Sequence, residues 1–300
     1  MNEWIYKVVL PKNQAAISIK NQLIAWYIPR RLRGSLRMRK AIRLNGINQP
    51  VSTILQPNDQ LELLFIESDF KVPISNYVID NAVKVDVLYE NNDLLVINKP
   101  AGYKTHPNFT GETGTVMNFV AAYLAHKQQV PYMVHRLDLP TSGALIVAKN
   151  PIVVPILNQM IAAKIIERTY LAWVNGVVRA PSGVLSQPIG HDPADQRKRK
   201  VNGVDAQPAI TYWYQVQQTY QKTLLRLQLA TGRTHQLRVH LQNWGHPIIG
   251  DPLYEKTLSY QRMLLHSVTV KLYIPFSNNL QFVSAPLPHD FPINISVKLE

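Results

Sequence analysis

Apolar positions along the chain fall into short alternations and short buried runs more often than into long helical stripes. Val85, Val87 and Tyr89 alternate, "NND" supplies a turn and "LLVIN" is a continuous apolar run, so a hairpin is predicted. In "GTVMNFVAAYLAHK", Val116, Phe119, Val120 and Tyr123 recur at helical spacing. "YMV" and "ALIVAK" read as strands on either side of "HRLDLPTSG", and Pro151 opens a helix that continues through "ILNQMIAAKII". "TYLAWVNGVV" is a strand, "TYWYQVQQTY" and "KTLLRLQLAT" form a second hairpin, and "MLLHSVTVKLYI" is a late strand. Leu237, Leu241 and Trp244 make an i, i+4, i+7 stripe, with Thr234 placed to cap that helix and Gly245 to end it. Near the start, Ser35 is a candidate N-cap for a short helix from Leu36 to Arg43, followed by an "NG" turn and the strand of "LQPNDQLELLFI". No fixed-period repeat is present. The pattern predicts a strand-rich α+β chain: a front module over residues 1–70, a connector over 71–84 and a larger domain over 85–300.

Composition adds a partner. Hydrophobic residues make up 46% of the 300, enough for a sizeable core, while charged residues make up 17% and still leave a net charge of +13. No acid lies between Glu3 and Asp59, yet that gap holds Arg30, Arg31, Arg33, Arg37, Arg39, Lys40 and Arg43. A solvated helix face normally mixes signs, so this run points to a polyanion, most simply nucleic acid. "QRKRK" adds Arg197, Lys198, Arg199 and Lys200 in a segment that suits phosphates better than a metal. Cysteine is absent, which excludes disulfides, thiol nucleophiles and Cys-based zinc sites. His235 and His240 are five apart, about 140° around a helix, and do not converge on a metal. A Walker loop, a secretory leader and an apolar run of membrane-spanning length are all missing. The expectation is a cytoplasmic, monomeric protein without metal or cofactor.

"HRLDLPTSG", residues 135–143, sets a carboxylate and an arginine at the mouth of an apolar strand. Read locally, Asp138 caps the turn made by Pro140 through the amides near Thr141 and Ser142. Tyr170 shares a strand face with Ala172 and Val174, which favours a core aromatic. Arg233 sits on a corner set by Gly232, where a surface or phosphate-contacting arginine is equally at home. A hydrolase using His135 and Asp138 ranks last, because no Gly-x-Ser-x-Gly elbow supplies a nucleophile.

Five stretches in order, "LLVINKPAG", "HRLDLPTSG", "ERTYLAWV", "TGRTHQLRVHLQNWGHPIIGD" and "MLLHS", together resemble the motif set of the RluA-type RNA pseudouridine synthases over roughly Val85 to Tyr273. The resemblance implies a catalytic domain of mixed, mainly antiparallel sheet with flanking helices, and isomerisation of uridine in ribosomal or transfer RNA without a cofactor. It implies that Asp138 is the catalytic carboxylate, that Tyr170 stacks on the uracil and helps move a ring proton, and that Arg233 pairs with Asp138. Arg136 would occupy the space left by a flipped base, and Leu265 would pack on the pocket. His135 and Thr141, in the same motif as Asp138, are further candidate substrate contacts. The front module is similar to a small RNA-binding domain of a ribosomal protein. An RNA-binding or ribosome-assembly protein with an inactive synthase fold is the alternative; the presence of Asp138, Tyr170 and Arg233 together favours the enzyme.

Overall fold

The structure is a computed structural model that describes residues 2–72, 74–256, 260–277 and 279–292; the end of the 85–300 stretch thus lies outside the described residues. At the front, β1 (Glu3–Val9), β2 (Ile42–Leu44), β3 (Ile47–Asn48) and β4 (Gln60–Ile66) form an antiparallel sheet in the order β1-β4-β2-β3. Asn45 and Gly46, both at positive φ (51° and 83°), make the two-residue turn that joins β2 to β3. Helices α1 (Ile19–Ala25) and α2 (Arg30–Met38) contribute buried Ile19, Leu23, Leu32 and Leu36 to its core.

Helix α2 therefore begins before the expected Ser35 cap, and Arg43 lies in β2. Pro29 occupies the N-cap, where a missing N–H costs nothing. Ser35 is inside the helix, and its hydroxyl donates to Asp69 Oδ1 at 2.6 Å. Asp69, in the 3-10 turn Glu67–Asp69, is only 2% exposed; its carboxylate also accepts from Arg39 Nη2 (2.6 Å) and from the amide of Ile66 (3.0 Å). Arg31 donates to the carbonyls of Ser68 and Asp69. Two of the seven cations of the acid-free run thus hold the module's end in place, and Arg33 is half-buried. Arg30, Arg37, Lys40 and Arg43 are exposed, with no side-chain partner among the described residues.

The larger sheet runs β10-β14-β15-β9-β16-β8-β6-β5, with β17 added to β16 and β7 to β8. Its strands are β5 (Val87–Glu90), β6 (Leu94–Lys99), β7 (Tyr132–Met133), β8 (Ser142–Ala148), β9 (Glu167–Asn175), β10 (Ser182–Leu185), β14 (Thr211–Gln218), β15 (Lys222–Leu229), β16 (Leu265–Tyr273) and β17 (Leu280–Ser284). All its pairings are antiparallel except β8 with β16. Helices α3 (Val116–Ala125), α4 (Val153–Ala162) and α5 (Gln236–Asn243) cover it. A smaller sheet, β11 (Ile189–His191), β12 (Arg199–Val201) and β13 (Val204–Gln207), carries the "QRKRK" segment as a hairpin and packs by β12 against α5. The hairpins, the late strand and the three helices of this part agree with the periodicities of the sequence; β10 to β13 and β17 carry no such signal.

The front sheet rests on the larger one. Tyr6 donates to Asp93 Oδ2 at 2.6 Å and stacks on Phe276 with centroids 4.0 Å apart, and Trp26 meets the same ring edge-on. One apolar core runs from Leu23, Leu36 and Phe65 to Val96, Ile146 and Val270. A second, around Tyr170, Leu227, Leu237 and Leu265, fills the opposite side and floors the pocket described below. Arg39→Ala leaves Asp69 buried with its neutral partners only. The expected loss is about 2–3 kcal/mol, at the low side of a broken buried pair because the guanidinium is partly wet. Arg37→Ala should stay within about 0.5 kcal/mol. Urea midpoints at unchanged m-value check both, and equal midpoints would exclude a structural role for Arg39.

Candidate active site

Asp138 stands in the loop between β7 and β8, and the backbone on each side of it is tied down. Before it, Thr105 Oγ1 donates to the Leu137 carbonyl (2.7 Å) and accepts from the Leu137 amide (3.1 Å), standing in for a strand partner. After it, the Lys99 ammonium donates to the carbonyls of Leu139 (3.2 Å), Thr141 (2.8 Å) and Pro100 (3.0 Å). Thr141 closes the turn, its amide donating to the Asp138 carbonyl at 3.0 Å. Gly143 then enters β8 at φ 106°, where a Cβ would lie 2.2 Å from the Ser267 carbonyl oxygen; the parallel seam with β16 needs glycine there. Lys99 is fully buried, and burial pushes its pKa down to about 7, against the pull of nearby Asp138.

The charge on Asp138 is met by Arg238 of α5, whose Nη1 is 3.1 Å from Asp138 Oδ2. The same guanidinium is held bidentately from behind, Nε to Asp251 Oδ2 and Nη2 to Asp251 Oδ1, both at 2.8 Å. Arg238 and Asp251 are 2% and 0% exposed, whereas Asp138 is 17% exposed. His235 Nε2 faces the same carboxylate oxygen at 3.9 Å. The expected partnership of Arg233 with Asp138 is corrected here. Arg233 lies on the exposed corner before α5 and donates Nε to the Pro208 carbonyl at 3.0 Å. Thr234 does not cap α5 either: the N-cap is His235, at φ 58°, and Gln236 Oε1 takes the Arg233 amide instead.

A small cavity opens onto Asp138. Arg136, Asp138, Thr141, Tyr170, Arg233 and Leu265 line it, six of the seven residues expected at the site, joined by Leu137, Leu229, His235, Gln236, Leu237 and Arg238. Strand register explains the apolar wall. Tyr170 faces Leu227 across β9–β15, and Leu265 faces Ala172 across β9–β16, so Tyr170, Leu229 and Leu265 share one sheet face. His135 is the exception. Its Nε2 accepts the Ile146 amide of β8 at 3.0 Å just past the end of β7, extending the ladder with a ring. Burial, then the charge of Arg168, pushes its pKa down to about 3, so it is a neutral structural group outside the cavity.

Arg136 and Arg233 stand at the mouth without an acidic partner among the described residues, and further cations lie on neighbouring elements. Arg136 is exposed beside His106 and helps hold that imidazole below its ordinary pKa, after burial. Arg168, two residues before Tyr170 on the same strand face, reaches 3.8 Å from where a Cβ on Gly232 would lie. Lys164 is likewise held low by burial and then by Arg168 and Arg233. In the hairpin, Arg197 is turned onto Asp195 (2.9 Å) and Arg199 onto the carbonyls of Gln196 and Lys198, while Lys198 and Lys200 have no side-chain partner among the described residues. No group of three or more His, Asp or Glu able to hold a metal occurs among the described residues. A larger cleft, about 860 Å³, lies between the front module and the main body, lined by Phe70, Tyr77 and Phe109 among others, and contains none of the residues around Asp138.

A carboxylate in a cavity walled by Tyr170 and leucines, met by a buried arginine and with Arg136 and Arg233 at the mouth, suits nucleophilic or base chemistry on a polyanionic substrate. A profile described as RNA pseudouridylate synthase matches residues 93–243, and one described as the RluD ribosomal pseudouridine synthase N-terminal domain matches residues 6–61. The chain belongs to the RNA pseudouridine synthases, in the RluA-type branch. It is 36% identical over 256 residues to an uncharacterized RNA pseudouridine synthase, YhcT, of Bacillus subtilis (strain 168), covering 83% of this chain and 82% of that one. It is 35% identical over 221 residues to ribosomal large subunit pseudouridine synthase D of Nitrosomonas europaea, covering 70% of this chain and 64% of that protein. The solved structure of human RNA pseudouridylate synthase domain containing 1 superposes with TM-score 0.59 at 25% identity, covering 68% of this chain and 84% of that one. This synthase is therefore an isomerase that converts uridine in RNA to pseudouridine.

Sequence reasoning did not single out Arg238, Lys99 or Thr105, which place Asp138. Their signal was present as motif context, an arginine inside an apolar helix stripe and a lysine ending an apolar strand, but nothing local marked either as buried. For Lys99 the sign of the pH effect is fixed. Its folded pKa of about 7 lies below the ordinary 10.5, so between those values the unfolded chain binds the extra proton and stability rises with pH. Relative to Lys99→Met, the wild-type unfolding free energy should climb from about pH 7 to 10 and be flat below. Urea unfolding of both proteins across that range tests it, and parallel curves would show that the lysine is not titrating in the fold.

Proposed function

We propose that this synthase acts on ribosomal RNA, with Asp138 as the carboxylate that starts cleavage of the glycosidic bond. The observation that carries the chemical assignment is the Asp138 carboxylate set against Arg238 in a cavity that Tyr170 also lines. In the net reaction the bond from C1′ to N1 breaks and one from C1′ to C5 forms; the C5 proton leaves and N1 is protonated, so no cofactor is consumed. Tyr170 stacks on the uracil and serves the ring-proton step. Arg136, exposed at the rim, fills the helix gap left by the flipped base. Arg233, with Arg168 and Lys164, takes backbone phosphates beside the cavity instead of orienting Asp138. The ribosomal target is supported by the names of the front-domain profile and of the Nitrosomonas relative.

The front module supplies affinity and target choice. Support comes from the four cations, Arg30, Arg37, Lys40 and Arg43, that no fold contact occupies. Neutralising all four in the full chain should flatten the log–log salt dependence of RNA binding by roughly 3 units, at about 0.7–0.9 per phosphate contact. An unchanged slope would mean that these residues face bulk solvent.

Asp138→Asn should lose isomerisation by roughly a thousandfold or more, equivalent to about 4 kcal/mol, while RNA binding stays within about twofold. Site-by-site pseudouridine mapping of total RNA, from cells with no copy, the wild-type gene or the Asp138→Asn gene, tests both assignments. Pseudouridines lost with the gene and not restored by the variant identify the target. Mapped sites confined to transfer RNA would refute the ribosomal assignment, and restoration by the variant would refute the role of Asp138.

A further inference from the structure

Tyr254 lies in the turn after Gly250 and Asp251, is 9% exposed, and has its amide donating to Asp251 Oδ1 at 3.1 Å. Its hydroxyl oxygen has two neighbours: the Arg199 amide nitrogen at 2.8 Å and His235 Nδ1 at 2.9 Å. A hydroxyl has one proton and two lone pairs, and a backbone amide can only donate. Arg199 N–H therefore takes a lone pair, and the hydroxyl proton goes to His235 Nδ1. Burial pushes the phenol up to about 12, so that proton is retained.

The consequence passes to the imidazole. Burial holds His235 below its ordinary pKa even though Asp138 pulls the other way; Arg238, Asp251 and Arg199 are the remaining charges facing it. A neutral ring accepting at Nδ1 carries its proton on Nε2, the nitrogen that faces Asp138 Oδ2 at 3.9 Å. The other tautomer would set a bare lone pair against the carboxylate. His235 also holds a positive φ of 58°, an uncommon conformation for a non-glycine residue that surrounding structure must support. The Tyr254 ring meanwhile lies 5.0 Å from the Arg238 guanidinium carbon.

We propose that Tyr254 is a positioning residue for the isomerisation: its hydroxyl fixes His235 with Nε2–H toward Asp138, so that both donors facing the carboxylate are set from one side chain. The proposal rests on the reading of Asp138 as the reacting group. The N–H at 3.9 Å lies beyond hydrogen-bond reach of the carboxylate, so it acts on Asp138 as an oriented dipole held in place. Because the Arg199 amide begins β12, the basic hairpin is anchored to the active site through the same hydroxyl.

The test uses the full chain. Tyr254→Phe keeps the ring against Arg238 and removes only the hydroxyl. Its single-turnover rate on bound RNA should fall tenfold to a hundredfold, with RNA affinity within twofold and the thermal midpoint near wild type. Imidazole nitrogen NMR, read without substrate, should show His235 as pure Nε2–H in the wild type and as a mixture of tautomers in Tyr254→Phe. His235→Ala should lose a similar factor, and the double variant should be no slower than the slower single one. His235→Gln, which can keep an N–H near the Nε2 position, should outperform His235→Asn. A wild-type rate in Tyr254→Phe, an unchanged tautomer, or losses that multiply in the double variant would each overturn the proposal. Failure of the reading of Asp138 would look different: Asp138→Asn would remain active whatever Tyr254→Phe does to the tautomer.

Discussion

One guanidinium joins the interior to the reacting group. Arg238 is sealed on one side by a bidentate contact with Asp251, which water does not reach, and presents its remaining nitrogen to Asp138, which water does reach. Neither half is stable alone. A buried arginine without Asp251 would be an uncompensated charge, and breaking such a pair costs roughly 3–5 kcal/mol. Asp251 in turn accepts the amides of Leu253 and Tyr254, which fixes the turn after Gly250. That turn has no room for error: Gly250 sits at φ 76°, and a Cβ there would lie 2.0 Å from the Arg262 carbonyl oxygen. Helix α5, the Asp251 turn and the Asp138 loop, distant in sequence, thus meet through the three nitrogens of one side chain.

The same logic holds the loop from the other side. Lys99 donates to the carbonyls of Pro100, Leu139 and Thr141, tying the end of β6 to the turn after Asp138, and Thr105 satisfies both polar groups of Leu137. The backbone around the carboxylate therefore has little freedom left, although it is formally a loop. This is preorganisation in the sense that matters for catalysis, because orientation is settled before substrate arrives. The sheet sets the remaining distances. Tyr170 and Leu265 reach the cavity because β9 and β16 pair in a register that puts alternate residues of both strands on its face.

Much of this was readable in the chain, and the misreadings share a cause. Asp138, Tyr170, Leu265 and Arg136 line one cavity, because each lies in or beside a strand whose apolar run is visible in sequence. Arg233 and Arg238 could not be ranked that way. Both lie in "TGRTHQLRVHL", and the exposed corner at Gly232 is conspicuous while the burial of Arg238 depends on Asp251, thirteen residues on, folding back beneath it. Ser35 misled for a similar reason. Its preference for an N-cap is real, but the carboxylate of Asp69, brought up by β4, competes for its hydroxyl, and Pro29 starts the helix earlier. His135 looked like a site residue because of its neighbours; a gap in the β7–β8 ladder uses its ring instead.

The cavity itself is small. It is open at its mouth, where Asp138 stays 17% exposed. The backbone beneath it is clamped, while the side chains at the mouth are not. The groups able to move are those with fewest ties: exposed Arg136, half-buried Leu229 and the corner bearing Arg233. Division of labour follows from that contrast. The carboxylate and its donors are rigid and pre-set, so they add nothing to discrimination between RNAs. On the proposed reading, discrimination falls to contacts made elsewhere, at the cations around the cavity, on the hairpin and on the front module. An RNA that engages those cations is held over a catalytic centre whose backbone is already in place.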